Sequence, residues 1–356
     1  MYQHGGDIYH YQKILDFSTN VNLMGTPIGV IEALEKGARL CHQYPDTNCT
    51  QLRMAISEKE NIPMPQIICG NGAADLIYAL VLAVQPQKAL LPVPSFFEYE
   101  QALNVVKCHI NYFQTKKEKG FLLQEDFLEQ ITGDVELIFL CNPNNPTGHL
   151  IEAGLLDKII EKCWQHNSLL VVDECFMDFV KKEECYSVKK KWKKYKNIFI
   201  LKAFTKLYTM PGVRLGYGIC QNEDLIKKMK EVCQPWSVSL LAQMAGVAAL
   251  KETNYVRESM EVLNQERQYL FHEFRKLNLA VIGSKANYLF FSAEPDLYEK
   301  CLEKGILIRD CSNYRGLEKG YYRIAVKNHL ENIEFIKVLK EVQGNGKINY
   351  DTGNDV

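Results

Sequence analysis

Short apolar runs alternate with longer amphipathic stretches through the middle of the chain. Each run is apolar on both faces, which is typical of a strand that is covered by helices on either side. The predicted strands cover residues 66–69, 88–91, 136–141, 168–173, 197–201 and 216–220, and the helical patterns between them cover 75–84, 96–104 and 155–166. This alternation predicts an α/β fold with a mostly parallel sheet covered by helices.

From about residue 239 the pattern changes to a long amphipathic stretch, which predicts a helix up to about residue 277. Two further strands, 286–291 and 320–326, and a last helix, 330–342, follow it. This order predicts a second, smaller lobe of mixed α and β structure. The polar tail over 344–356 is rich in glycine and asparagine and is predicted to be loose.

Length and charge narrow the possible functions. A chain of 356 residues is long for one core, so two lobes are expected. Its 42 basic and 43 acidic residues nearly balance, which gives no general reason to expect nucleic acid or an anionic membrane as a partner. A basic run over 189–196 contains Trp192 and Tyr195, and we interpret it as a solvated helix rather than a nucleic-acid patch.

The sequence indicates neither membrane insertion nor secretion. No apolar run approaches the roughly 18 residues that span a bilayer, and the N-terminus lacks the basic and apolar segments of a signal peptide. The 12 cysteines include no pair at CxxC spacing, so neither a metal site nor a redox pair is predicted. We therefore expect reduced thiols and a cytoplasmic protein.

Distinctive polar residues fall where predicted strands end, which is the edge at which open α/β sheets bind ligands. The segments are 70–75, 92–99, 142–148, 173–174 and 202–206, and Arg214 follows the last of them. Each is ordinary by itself, because glycine turns, Asn-Pro loops and surface lysines are common. Their convergence on one crevice is the specific signal.

Pyridoxal phosphate requires this combination of groups. It needs a lysine for covalent attachment, an acid beside its ring nitrogen, a flat surface for its ring and a cationic cradle for its phosphate. The candidates are Lys206 for attachment, Asp173 for the ring nitrogen, Gly72, Ala73, Ala74 and Arg214 for the phosphate, Phe96 for the ring face and Asn145 for the phenolic oxygen.

The chain resembles the fold-type I pyridoxal-phosphate enzymes of the aspartate aminotransferase superfamily over about residues 4–342. The resemblance rests on Asn-Pro-Asn-Asn-Pro-Thr-Gly at 142–148, Asp-Glu at 173–174, Thr-Lys at 205–206 and Pro-Gly-Val-Arg-Leu-Gly at 211–216. Within the superfamily it resembles the branch of histidinol-phosphate aminotransferases and threonine-phosphate decarboxylases. It implies a large cofactor-binding domain over 44–245, and a small domain formed by 246–343 with the N-terminal arm, 1–43.

The resemblance also implies roles for individual residues. Lys206, Asp173, Asn145 and Arg214 match the cofactor ligands, and Thr205 lies beside the lysine. Tyr44 matches a tyrosine that reaches the cofactor phosphate of the neighbouring subunit, which implies a homodimer with shared active sites. Arg323 matches the arginine that clamps the substrate α-carboxylate in bidentate geometry.

Two positions depart from the superfamily pattern. Ala203 stands where a serine or threonine hydroxyl usually meets the cofactor phosphate, so that hydrogen bond is expected to be missing. Phe176 stands where many aminotransferases have a tyrosine bonded to the phenolic oxygen, which would leave Asn145 alone on that side.

Three segments resemble the decarboxylase branch: Asp-Glu-Cys-Phe-Met-Asp-Phe at 173–179, the N-terminal His-Gly-Gly at 4–6 with 16–22, and 307–317. The resemblance implies His4 and Arg309 as ligands of a substrate phosphate, and Asn22 with Arg323 near its carboxylate. We therefore predict decarboxylation of a phosphorylated amino acid, L-threonine O-3-phosphate, to (R)-1-amino-2-propanol O-2-phosphate for cobalamin biosynthesis.

Alternatives stay open at this point. A histidinol-phosphate aminotransferase uses the same cofactor residues and also needs a phosphate site. A transcription regulator built on this fold would carry an N-terminal winged-helix domain, which the short N-terminal segment does not accommodate. An inactive homologue is disfavoured by the presence of Lys206 and Asp173.

Overall fold

The computed structural model describes residues 4–11 and 13–344, so nearly all of the predicted loose tail lies outside the described residues. Within this part of the chain the strands are β1 (Leu15–Asp16), β2 (Ile67–Gly70), β3 (Lys88–Val93), β4 (His109–Gln114), β5 (Leu137–Cys141), β6 (Leu169–Asp173), β7 (Ile198–Ala203), β8 (Gly216–Cys220), β9 (Val281–Gly283), β10 (Tyr288–Ser292), β11 (Ile306–Leu307), β12 (Arg309–Asp310) and β13 (Tyr321–Ala325).

The α-helices of the same part are α1 (Ile28–Ala38), α2 (Thr50–Glu60), α3 (Ala73–Val84), α4 (Glu98–Val105), α5 (Ala153–Gln165), α6 (Phe204–Leu207), α7 (Glu223–Val232), α8 (Leu240–Ala249), α9 (Thr253–Lys276), α10 (Leu297–Glu303) and α11 (His329–Gly344). None of these helices is long and apolar enough to cross a membrane.

The large sheet has seven strands in the order β2-β8-β7-β6-β5-β3-β4. Neighbouring strands from β4 to β7 are parallel, whereas β8 runs antiparallel to both β2 and β7. The predicted mostly parallel sheet is therefore confirmed. The sequence pattern missed β4, because this edge strand has one neighbour, lies partly in solvent and carries no continuous apolar run.

Side chains of the central strands alternate between two apolar clusters. On β5, Ile138 and Leu140 belong to the cluster on one face, and Leu137 and Phe139 to the cluster on the other. Helices cover both faces, which explains why these strands are apolar throughout. The carboxyl ends of β5, β6 and β7 lie side by side, with Asp173 at the shared edge.

The smaller lobe is built on an antiparallel sheet in the order β12-β13-β10-β9. The N-terminal arm joins it through a parallel pairing of β1 with β11, in which Leu15 lies opposite Ile306. Helix α9 packs on this lobe through Phe274, which stands edge-on to Phe291 with ring centres 4.9 Å apart. Phe335 of α11 lies beside Phe274, with ring centres 6.3 Å apart. The α/β fold class with an added α+β lobe is confirmed. The exact domain boundaries stay a prediction.

The predicted helix over 239–277 was wrong in one respect, since it is two helices. The backbone leaves helical geometry at Glu252, where ψ is 54°, and α9 starts afresh at the next residue.

The basic run over 189–196 is also not the α-helix that we predicted. A 3₁₀ turn, Val188–Lys190, is followed by further turns. Trp192 and Tyr195 are buried in the core, which pulls the backbone inward. Lys189 pairs with Glu60 and Lys191 with Asp157, so part of the positive charge is neutralised within the fold.

Candidate active site

A cavity of about 400 Å³ lies where β5, β6 and β7 end, between the large sheet, the N-terminal arm and the small lobe. Eleven of the fourteen predicted site residues line it: His4, Ala73, Ala74, Phe96, Asn145, Asp173, Thr205, Lys206, Arg214, Arg309 and Arg323. The folded chain thus brings together residues that are up to 319 positions apart in the sequence.

Lys206 lies on α6, the short helix that follows β7 directly. Burial lowers the pKa of its ammonium group to about 8, and the positive charges of Arg323 and Arg214 act in the same direction. With a pKa of about 8, about a tenth of the side chains are neutral amines at pH 7, far more than for an ordinary lysine. Only the neutral amine is nucleophilic, so this environment prepares Lys206 for covalent attachment to a carbonyl group.

Asp173 is held by two hydrogen bonds at the end of β6. The hydroxyl of Tyr99 donates to its Oδ2 at 2.6 Å, and the backbone N–H of Cys175 donates to its Oδ1 at 2.9 Å. Burial raises the pKa of this carboxyl group, and both donors oppose the rise. The two donors stabilise the ionised form, and a carboxylate in that form is suited to face a protonated ring nitrogen.

The second acid of the Asp-Glu motif faces away from the cavity, as the alternation of a strand requires. Glu174 accepts hydrogen bonds from Ser187 Oγ at 2.7 Å and from the Val188 N–H at 2.8 Å. Lys202, likewise off the cavity, pairs with Asp178 at 2.8 Å. These groups stabilise the fold beneath the site and leave Asp173 as the motif acid inside it.

Asn145 has its amide oxygen occupied and its amide nitrogen available. Arg323 Nη1 donates to Oδ1, and the Tyr314 hydroxyl donates to the same oxygen at 3.2 Å. The remaining N–H₂ group is the donor that a phenolic oxygen needs. Tyr314 also brings a hydroxyl group to this end of the cavity, where Phe176 has none.

The start of α3 forms an anion cradle together with Arg214. Gly72 is the N-cap residue with φ of +87°, and the first-turn N–H groups of Ala73 and Ala74 follow it. A side chain at position 72 would place its Cβ 2.5 Å from Arg214 Nη2, so only glycine lets the guanidinium group approach the turn. Ala203 lines the cavity without a hydroxyl group, but Thr205 nearby has one.

Phe96 lies beside the groups that would face a cofactor ring. Its ring stands edge-on to Tyr99, with centres 5.6 Å apart and planes at 83°. Tyr99 stacks in turn on Phe139 at 4.7 Å. The aromatic surface and the support of Asp173 therefore belong to one packed unit.

Two arginines of the small lobe form the opposite wall. Arg323 Nη2 donates to the Ser18 carbonyl at 2.9 Å, and Arg309 Nη2 donates to Asn313 Oδ1 at 2.8 Å. Both side chains are buried, and no carboxylate of the described residues lies within ion-pair distance of either one. Within the described part of the chain, their positive charge is therefore met by neutral oxygen acceptors and not by an ion pair.

The structure does not bring Asn22 or Tyr44 to the cavity. The Asn22 amide group donates to the Leu207 carbonyl at 2.9 Å, so it ties the arm to the end of α6. Asn20, and not Asn22, lies beside Arg323. With its amide oxygen turned toward Arg323, it accepts from Nη1 at 3.2 Å and from Nε at 3.0 Å. Tyr44 is 80% exposed and stacks on Trp236.

Sequence reasoning also missed Tyr99 and Tyr314. Tyr99 follows Phe96 by three residues, and that spacing places both side chains on one side of the chain once α4 begins. This helical period was a usable signal. Tyr314 had no local signal, because only the packing of the small lobe against the large sheet brings it to Asn145.

The lysine, the acid, the amide donor and the anion cradle define a site for pyridoxal phosphate, and the fold is that of a fold-type I enzyme. A family model described as aminotransferase class I and II matches residues 12–339, and the chain belongs to this family, whose members depend on this cofactor. The cofactor predicted from the sequence is confirmed.

The chain is similar to enzymes of two different activities. The chain is 33% identical over 351 residues to a threonine-phosphate decarboxylase of Salmonella typhimurium, covering 95% of this chain and 96% of the relative. It is 30% identical to a histidinol-phosphate aminotransferase of Methanosphaera stadtmanae, covering 94% and 92%. A solved histidinol-phosphate aminotransferase from Clostridium acetobutylicum superposes with a TM-score of 0.87 at 30% identity, covering 93% of this chain and all of that one.

Tyr99→Phe should weaken cofactor binding about tenfold, because it removes a donor to a buried carboxylate and lets the Asp173 pKa rise further. The measurement is the dissociation constant of pyridoxal phosphate from the apoenzyme. Tyr195→Phe is the matched control, since Tyr195 donates to Glu161 at 2.7 Å outside the cavity. Equal affinities for the wild type and the Tyr99 variant would contradict the assigned role.

Covalent attachment of pyridoxal phosphate to the apoenzyme should be about ten times slower at pH 7 than at pH 9, because the neutral fraction of Lys206 grows as pH rises through about 8. Borohydride trapping followed by mass spectrometry measures the rate. Nα-acetyl-lysine is the control, and its rate should keep rising toward pH 10. If the attachment rate of the protein has the same pH dependence as that of Nα-acetyl-lysine, burial does not activate Lys206.

Proposed function

We propose that this enzyme decarboxylates a phosphorylated amino acid, L-threonine O-3-phosphate, to (R)-1-amino-2-propanol O-2-phosphate. One observation carries the proposal: Arg309 and Arg323 are direct partners in the pairing of β12 with β13. Their exposed fractions are only 5% and 6%. Like charges at directly opposed positions repel each other, so a small molecule with two anionic groups is the complementary ligand.

Threonine phosphate carries a carboxylate and a phosphate group four bonds apart along one short skeleton. Arg323 lies beside Asn145 and is the candidate for the carboxylate, and Arg309 with His4 is the candidate for the phosphate. Histidinol phosphate has one anionic group only and would leave one arginine without a partner. The decarboxylase relative and the motif at 173–179 support the same choice.

The cofactor supplies an electron sink that permits a bond at the substrate α-carbon to break. Asp173 holds negative charge at the ring-nitrogen position, supported by Tyr99. Arg323 orients the carboxylate that leaves as carbon dioxide. Lys206, with its lowered pKa, is the group suited to return a proton to the α-carbon.

The histidinol-phosphate aminotransferase activity is the second candidate, since relatives of that activity cover the chain as fully. Its amino donor, glutamate, also carries two anionic groups and would satisfy both arginines. The arginine pair therefore disfavours only the phosphorylated substrate of this second candidate, and the product formed decides between the two activities.

Purified holoenzyme given threonine phosphate should release carbon dioxide and the amine in equal amounts, and Lys206→Ala should abolish both. Product analysis by mass spectrometry together with carbon dioxide capture measures this. Formation of an α-keto acid without carbon dioxide, or amino transfer from glutamate to imidazole-acetol phosphate as the faster reaction, would reject the decarboxylase proposal.

The amine product provides a control for the arginine assignment, because it has kept the phosphate and lost the carboxylate. Its inhibition constant should rise at least tenfold in Arg309→Gln and change little in Arg323→Gln, as expected for loss of a charge-assisted contact. The reverse order would exchange the two roles.

We also propose that the enzyme works as a homodimer in which Tyr44 serves the neighbouring subunit. Its ring is exposed on one chain and stacks on Trp236, which is itself 49% exposed, so an aromatic surface is available beside it.

Mixing refolded Tyr44→Ala and Lys206→Ala chains should give more activity than either variant alone, because a hybrid dimer would contain one site with Lys206 from one chain and Tyr44 from the other. Steady-state turnover after mixing measures the gain, and the native mass should equal two chains. Activity no higher than that of the diluted Tyr44 variant would show that Tyr44 does not act across subunits.

A further inference from the structure

Glu98 is a buried carboxylate in the cavity wall to which neither the cofactor site nor the resemblance gives a role. Its Oε1 lies 3.1 Å from His4 Nε2. The Tyr78 hydroxyl donates to Oε2 at 3.5 Å, and Gln101 Nε2 donates to Oε1 at 3.4 Å. Among the described residues, no lysine or arginine forms an ion pair with it. Within the described part of the chain, His4 is thus the only basic side chain that pairs with Glu98.

The N-terminal arm is fixed up to His4 by close contacts. The Gly6 N–H donates to Ser18 Oγ at 2.7 Å, and Ser18 Oγ donates to Asp16 at 2.6 Å. A Cβ at Gly5 would lie 2.4 Å from the Ser18 carbonyl oxygen, so the arm packs this closely only because position 5 has no side chain. The arm therefore delivers His4 to one defined place.

Two contacts then set the imidazole ring itself. It packs on Phe97 with ring centres 4.7 Å apart, which fixes its distance from the cavity wall. Packing leaves rotation in the ring plane undetermined, and the hydrogen bond to Glu98 removes that freedom. A carboxylate only accepts, so Nε2 carries the shared hydrogen. Nδ1 has no hydrogen-bond partner within the described part of the chain.

We propose that Glu98 is a positioning residue that holds the His4 ring at the cavity mouth for the substrate phosphate, an inference that rests on the proposed function. Direct contact of Glu98 with phosphate is excluded chemically, because both are anionic acceptors. Acting through His4, the carboxylate fixes one ring nitrogen and leaves the other for the phosphate.

The proposal makes Glu98 a determinant of specificity for phosphorylated substrates. When His4 is displaced, Glu98 becomes an unpaired negative charge beside the substrate phosphate and repels it. When Glu98 is removed, His4 keeps its stacking on Phe97 but loses its orientation. Both changes should act on substrate binding and leave the chemical step at Lys206 unaffected.

The test is a double-mutant cycle with His4→Ala, Glu98→Ala and the double variant, using holoenzyme and threonine phosphate. Glu98→Ala should raise KM about tenfold with kcat within about twofold, the size expected for a lost charge-assisted contact. The double variant should be no worse than His4→Ala, because Glu98 has no favourable role once His4 is gone and its removal also takes away a repulsive charge. Glu98→Gln, which keeps an acceptor without charge, should fall between the wild type and Glu98→Ala.

Glu125→Gln is the matched control, since Glu125 pairs with Lys158 at 2.5 Å on the surface, and its KM should not change. Threonine without phosphate is the second control and should be turned over equally by the wild type and Glu98→Ala. Three results would overturn the positioning role. The first is a KM for the double variant that equals the product of the two single effects. The others are a fall in kcat in Glu98→Ala and a loss of activity with threonine as large as the loss with threonine phosphate.

Binding of inorganic phosphate to the holoenzyme, measured by calorimetry, separates this inference from the proposed function. If Glu98→Ala lowers phosphate affinity in the wild type but not in the His4→Ala background, the positioning role of Glu98 is supported even when the wild type releases no carbon dioxide. If the two substitutions lower phosphate affinity independently, the positioning role of Glu98 is rejected even when decarboxylation is observed.

Discussion

Charge placed in a cavity with little water is the constraint on which the site depends. Lys206, Asp173, Arg309 and Arg323 all lie in this low-dielectric space, where an uncompensated ion is costly. Each is compensated differently: the lysine by a lowered pKa, the aspartate by two N–H or O–H donors, and the arginines by backbone and amide oxygens. The same constraint makes the cavity selective. A ligand with charges opposite to those of the site forms ion pairs, which offset the cost of burial more completely than neutral donors and acceptors do.

The first turn of α4 connects the parts of the site that come from distant segments. Three consecutive residues project to three different partners: Glu98 to His4 of the arm, Tyr99 to Asp173 of the sheet, and Glu100 to Arg315 of the small lobe at 2.6 Å. The ion pair between Glu100 and Arg315 holds the loop that carries Tyr314 and directly follows β12, the strand of Arg309. The position of α4 on the large sheet therefore sets how the arm and the small lobe meet the cofactor groups.

The cofactor half of the site was predictable, because its residues sit at strand ends and in motifs of fixed spacing. Lys206, Asp173 and Asn145 follow apolar strands directly, so their convergence follows from the sheet topology. The substrate half was less predictable. Asn20 and Asn22 are the same residue type only two positions apart, so the pattern could not choose between them. Tyr314 depends on lobe packing, which local sequence does not encode.

The cross-strand arginine pair links the proposed substrate half of the site to the strand pairing of the small lobe. Opposed like charges weaken a sheet, and the pair is tolerated because each guanidinium group has its own acceptors, Asn313 for Arg309 and Ser18 for Arg323. Those acceptors are neutral and offset only part of the repulsion. An anion that bridges both arginines would neutralise them and also tie the pairing of β12 with β13 to the cofactor side through Asn145. Substrate charge and lobe packing therefore stabilise each other, so a ligand with a single anionic group would supply only half of that stabilisation.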